Sequence, residues 1–235
     1  MGNEVVRRLA AAGQRRLGAA SRPEGDKPSG PRPFPDMAPT LKHASAALRQ
    51  AGVAHALTGA PACWVYGASE LGIDWDLVVR PEDADHAAAA LAEAGLRVER
   101  PPEGWLVKAW DGDVLVDVIF DPLGAPVAEC LARAREERVL GMPIPVLDPT
   151  DVVVSMLLAR SEVFLQFERL LQVVRPIREH IDWARVRRGT HPSPYAAGFL
   201  ALVEALGVAS PPAASAGVTG LPLPARAADA GTGGA

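Results

Sequence analysis

Apolar positions between Thr40 and Leu206 recur with two different periods, and each change of period marks a new element. Leu41, Ala44 and Leu48 fall on one helical face and predict a helix over 40–51. A short apolar run over 55–58 reads as a strand. Gly59 then turns the chain into a second helix, whose first turn suits Pro61. Residues 73–79 alternate and predict a strand. Residues 81–94 predict a helix with an acidic first turn, as the macrodipole favours, and 96–99 a short strand. GWLVKAW and DVLVDVIF, joined at Asp111-Gly112, carry the strongest short hairpin signal. A helix is predicted over 127–137. After VLGMPIPVL, Asp148 and Pro149 open a helical region running to about 188, and a last helix over 194–206 closes the pattern. The fold class predicted is α+β: a small mixed β-sheet core with helices on one side, followed by a helical C-terminal part.

Composition sets the boundaries. Residues 21–39 (SRPEGDKPSGPRPFPDMAP) are rich in Pro and charge and poor in apolar side chains, so burial there offsets little ordering entropy. The chain therefore divides into a disordered lead-in (1–39), an α/β core (40–147), a helical part (148–208) and a disordered Ala/Gly/Pro tail (209–235). Two cysteines, Cys63 and Cys130, support neither a disulfide framework nor a zinc site. The five histidines are scattered without ligand spacing and read as surface or capping residues. No membrane segment or secretion signal is evident, and the expected location is the cytoplasm. The net charge of −4 conceals a division. Residues 40–159 carry 9 basic and 18 acidic side chains, whereas 160–191 carry 7 arginines and 4 acids. An acidic middle argues against a broad nucleic-acid surface there.

That acidity has a focus. On a strand over 73–79, Asp74 and Asp76 share one face while Ile73, Trp75 and Leu77 take the other. Two adjacent carboxylates repel unless a cation lies between them, and hard oxygen donors suit Mg²⁺. Asp117, the lone acid in VLVDVIF, is costly if buried unpaired and must reach solvent, a cation or a metal. A loop at Asp111-Gly112 pairs Trp110 with Asp113 and Leu106 with Asp117. It leaves Lys108 one diagonal step from Asp117, placed to contact phosphate or to balance the carboxylates.

These residues resemble the nucleotidyltransferase superfamily related to DNA polymerase beta, in particular small bacterial members of the aminoglycoside-nucleotidyltransferase and toxin type. Thr58-Gly59-Ala60 stands for that group's small-residue turn, Asp74-Trp75-Asp76 for its paired acids and Asp117 for its third acid. LDPTDVVVSMLLA and REHIDWARVR resemble its C-terminal helices, so the likeness spans roughly 40–190. The resemblance implies an Mg²⁺-dependent enzyme that moves a nucleoside monophosphate from an NTP to a hydroxyl of a small molecule or an RNA end. It implies Asp74, Asp76 and Asp117 as metal ligands and catalytic groups, with Gly59, Ala60 and Lys108 at the nucleotide. The sequence departs from the pattern at four places. Ala60 replaces a Gly or Ser, Glu70 and Gly72 stand where many relatives carry Arg and Ser or Thr, and Met156 stands where Lys is common. These departures suit an alternative: a catalytically degenerate member that binds a nucleotide or a protein partner.

Overall fold

A computed structural model describes residues 33–70, 74–102, 104–122, 124–161, 164–191 and 193–211. The lead-in over 1–32 and the tail over 212–235 lie outside the described residues, as does Gly72. Residues 33–39 differ from the expected disordered lead-in. Phe34–Met37 form a 3₁₀ turn that runs straight into the first helix, and Phe34 and Met37 are buried. The reason lies in what they meet. Phe34 stacks on Trp75 at 4.8 Å and tilts against Trp64 at 4.9 Å, while the Trp75 indole donates to the Met37 carbonyl at 3.0 Å. Burying two large side chains offsets the ordering entropy of the short proline-flanked segment that carries them.

Seven strands form one mixed sheet: β1 (His55–Leu57), β2 (Trp75–Val79), β3 (Arg97–Glu99), β4 (Leu106–Asp111), β5 (Val114–Ile119), β6 (Arg135–Val139) and β7 (Met142–Val146). Their spatial order is β3-β4-β5-β2-β1-β7-β6, with β2–β5 and β1–β7 parallel and the other pairs antiparallel. Helices α1 (Ala38–Gln50), α2 (Gly59–Val65), α3 (Ala84–Glu93) and α4 (Val127–Arg133) flank the sheet. Beyond it come α5 (Pro149–Leu158), α6 (Phe167–Val174), α7 (Trp183–Thr190) and α8 (Pro194–Ala205). The chain therefore has the expected α+β architecture, a small mixed sheet flanked by helices and followed by further helices. One cluster of buried side chains runs from Phe34 through Trp75, Leu77 and Ile144 to Leu157, Phe199 and Val203. Among the described residues no helix is long and apolar enough to cross a membrane.

Three local expectations are corrected. The helix predicted over 127–137 stops at Arg133, and 135–139 is instead an edge strand paired with β7. Glu and Arg favour helix locally, but the Leu140-Gly141 turn, with φ of 49° and 82°, closes a hairpin that outweighs propensity. The region predicted as helical over 148–188 is two helices, a short bridge and a 3₁₀ turn before α7. Asp148 caps α5 by accepting from the Thr150 amide at 2.9 Å, and Asp182 caps α7 through the Arg185 amide at 2.9 Å. Finally, His55 is no surface residue: it is buried, with Nε2 2.8 Å from Ser45 Oγ and Nδ1 2.9 Å from the Val53 carbonyl. Burial holds its pKa below the usual imidazole value.

Candidate functional site

The site forms where β1 ends and β2 begins. The Thr58 amide donates to the Asp76 carbonyl at 2.9 Å, so the chain leaves β1 still bonded to β2. Gly59 then takes φ +64° and opens α2, two residues before Pro61. A Cβ on Gly59 would stand 2.1 Å from Asp76 Oδ2 and 2.7 Å from its Cγ. The Asp76 carboxylate therefore rests on the bare backbone of the turn. Glycine is needed here twice, for its conformation and for the absent side chain. Ala60, in the first turn of α2, is partly exposed beside it.

Register brings the third acid in. Asp76 is paired with Asp117 across parallel β2 and β5, so both side chains leave the same face of the sheet about one strand spacing, ~4.8 Å, apart. Across the antiparallel β4–β5 pair, Lys108 lies directly opposite Asp117. This corrects the diagonal placement read from the sequence. The two-residue loop is Gly112-Asp113, with Asp111 paired to Val114, because Gly112 takes the left-handed conformation, φ +61°, at the first loop position. Lys108 Nζ stands 3.1 Å from Asp117 Oδ1, and the two side chains are only 15% and 16% exposed. Asp74 occupies the bend ahead of β2 rather than the strand itself.

Electrostatics agree with the geometry. Burial raises the Asp76 pKa well above the usual carboxylate range, and the charges of Asp74 and Asp117 raise it further, with Lys108 partly opposing them. Asp74 and Asp117 thus both act on Asp76. Among the described residues, no three His, Cys, Asp or Glu side chains stand gathered as a group that could hold a metal. The donor chemistry nevertheless fits Mg²⁺: carboxylate oxygens from two adjacent strands, one of them strained by burial and by like charge.

Two departures look different in three dimensions. The Glu70 carboxylate accepts the Phe34 amide, so it fastens the 3₁₀ turn rather than pointing unengaged at a phosphate. Met156 is partly buried against the core from α5. Sequence reasoning missed Phe34 and Met37 as the support beneath Trp75 between the paired acids. The sign was present in FPDM, two large apolar residues within a polar, proline-rich run. Two arginines of the helical part and one of α4 are likewise engaged. Arg185 pairs with Asp148, Arg187 with Glu204 at 2.7 Å, and Arg133 grips Asp151 at 2.9 and 3.2 Å.

The mixed sheet flanked by helices and followed by further helices matches the core architecture of nucleotidyltransferases. Among solved structures, the chain is similar to the crystal structure of ANT(2'')-Ia in complex with adenylyl-2''-tobramycin. That match has a TM-score of 0.50 and 16% identity and covers 71% of this chain and 98% of that one. A solution structure of the same antibiotic-resistance factor matches at TM-score 0.42 and 17% identity, over 73% and 93% of the two chains. A candidate nucleotidyltransferase from Thermotoga maritima matches at TM-score 0.39 and 16% identity, over 50% and 80%. At such identity the likeness speaks for the fold. No protein-family model and no curated protein sequence matches the chain.

Proposed function

We propose that the chain is an Mg²⁺-dependent nucleotidyltransferase that moves a nucleoside monophosphate from an NTP to a hydroxyl of a small molecule or an RNA. The observation that carries this reading is the register pairing of Asp76 with Asp117 beneath the Gly59 turn. Asp74 and Asp76 would hold the metal associated with the nucleotide, and Asp117 would complete the set. Bound there, Mg²⁺ would neutralise phosphate charge and stabilise the attacking and leaving oxygens. The chain's own groups do the rest. The Gly59-Ala60 turn lies against Asp76 with no side chain beyond a methyl, so a triphosphate can approach the backbone closely. Asp117 stands at the same face to accept the acceptor hydroxyl's proton as its oxygen bonds to the α-phosphorus and pyrophosphate departs. ANT(2'')-Ia, whose structure was determined with an adenylylated aminoglycoside, supports a small polyhydroxylated acceptor as the first to try.

The test is incubation of the protein with labelled NTPs, Mg²⁺ and either aminoglycosides or cell extract. Label should pass to an acceptor. Asp117→Asn should lower turnover by about 10²–10⁴-fold while nucleotide binding largely survives, as expected of a group that acts near the transition state. A second reading, a degenerate member that binds nucleotide without consuming it, is favoured by Ala60, which brings no hydroxyl to the turn, and by the Glu70–Phe34 contact. Tight nucleotide binding with no label transferred to any acceptor would decide for it.

A further inference from the structure

We propose that the face of β4 and β5 beside the acids is a docking surface for this chain's own basic segment, residues 1–20, which lies outside the described residues. Docking of this kind is independent of catalysis, so it can hold or fail without deciding the transfer reaction proposed above.

The face itself calls for an occupant. Leu106 and Trp110 lie on the same side of β4 as Lys108, and Leu115, opposite Trp110, lies on the same side of β5 as Asp117. These three large apolar side chains are only 2%, 5% and 2% exposed. Yet none of them belongs to the buried core. That core takes the other side of the same strands, where Leu41 of α1 and Leu91 of α3 join Val107, Ala109, Val116 and Val118 in one cluster. The Arg97 guanidinium, 5.3 Å from the Trp110 ring centroid, shields part of that ring, but Leu115 lies two strands from Arg97. Trp110 Nε1 is shielded from solvent without a hydrogen-bond partner, so the surface resting on it offers no acceptor there. Beside this patch the row Glu99, Lys108, Asp117 and Asp76 crosses four adjacent strands, and three of the four are acids. A fitting occupant is therefore apolar at its centre and basic at its rim.

Residues 1–20 have that chemistry: Val5, Val6, Leu9 and Leu17 stand among Arg7, Arg8, Arg15 and Arg16, with Glu4 as the one acid. Residues 212–235 do not, since Arg226 and Asp229 cancel. The reach is sufficient. Phe34 is held on Trp75 at the start of β2, and β4 lies two strands away, roughly 10 Å. The twelve residues 21–32 in between can span up to about 40 Å.

The experiment is fluorine NMR of the full chain labelled with fluorotryptophan, the Trp110 signal being assigned with Trp110→Phe. Solvent contact is read from the shift of each signal between light and heavy water. In wild type Trp110 should shift as little as Trp75, which the core encloses. Leu9→Asp/Leu17→Asp, and separately Arg7→Glu/Arg8→Glu/Arg15→Glu/Arg16→Glu, should give Trp110 the shift of an exposed indole. An unmoved Trp75 signal in the same spectra shows the fold intact. Leu221→Asp/Leu223→Asp should change neither signal. A Trp110 already exposed in wild type, or still shielded in both N-terminal variants, would overturn the proposal. So would exposure in the tail variant alone, which assigns the face to residues 212–235, or exposure on simple dilution of wild type, which assigns it to a second copy of the chain.

Discussion

Asp76 bears a large electrostatic strain in this site. Its pKa is raised by burial first, then by Asp74 and Asp117. A carboxyl whose folded pKa lies above its unfolded value favours folding while it is protonated, and that contribution fades as pH rises through the folded pKa. Metal-free wild type should therefore lose stability, relative to Asp76→Asn, as pH climbs from about 4 toward neutrality, 3.9 being the ordinary Asp value. Thermal melts of the two proteins in chelator, compared across that range, check the sign. The gap should close at acid pH. Added Mg²⁺ should raise the midpoint of wild type near neutrality and not that of the variant, because a ligand that binds only the native state stabilises it. An Asn variant that gains equally from Mg²⁺ would exclude Asp76 as a ligand.

At the scale of elements, the decisive junction is the turn from β1 into α2. Gly59→Ala places a Cβ 2.1 Å from Asp76 Oδ2 and forces an L side chain to φ +64°. The backbone strain alone is worth about 1–3 kcal/mol. For a chain of this size each ~1 kcal/mol lowers the melting midpoint by roughly 2–4 °C. The two effects are separable. Gly59→Ala/Asp76→Ala should recover the steric share and keep the conformational share, so the double variant should melt above Gly59→Ala and below Asp76→Ala. Midpoints that simply add would mean that the close approach carries no energetic weight. The β4–β5 hairpin works differently. It sets no strain, but its loop at Gly112-Asp113 fixes which residue meets Asp117: the same loop one position earlier would put Leu106 opposite Asp117 and leave Lys108 on the same face, one diagonal step away.

For the whole molecule, one buried cluster joins the sheet to the C-terminal helices, and ion pairs such as Arg185–Asp148 and Arg187–Glu204 tie the helices together. The Phe34 ring and the Met37 side chain, three residues on, belong to that cluster. A chain of residues 33–211 is expected to melt cooperatively. One of residues 38–211 should be markedly weaker, since it discards two fully buried side chains worth about 1.5–3 kcal/mol each. Circular dichroism melts of the two give the comparison, and equal midpoints would show that the Phe34–Trp75 stacking is dispensable.

Much of this was legible beforehand, and the reason is physical. Alternation, glycine positions and lone acids in apolar strands are local properties, so the sequence by itself determined the order of most elements, the Gly59 turn, and Asp76 and Asp117 as acids each set in an apolar strand; that the two share a face came from the β2–β5 pairing. The sequence also determined that Lys108 lies on the face of Asp117, because the parity of a two-residue hairpin survives an error in the exact loop position. What only the tertiary structure decided were the matters that depend on a distant partner. Phe34 and Met37 are buried because Trp75 and Trp64 stand where they fold back. Residues 135–139 form a strand because β7 offers an edge, against their helical preference. Glu70 meets the Phe34 amide across thirty-six positions of chain, and Lys108 meets Asp117 head-on because Gly112 opens the loop one residue later than the Asp-Gly signal suggests. Long-range contacts such as these follow from how elements meet, and no local period encodes them.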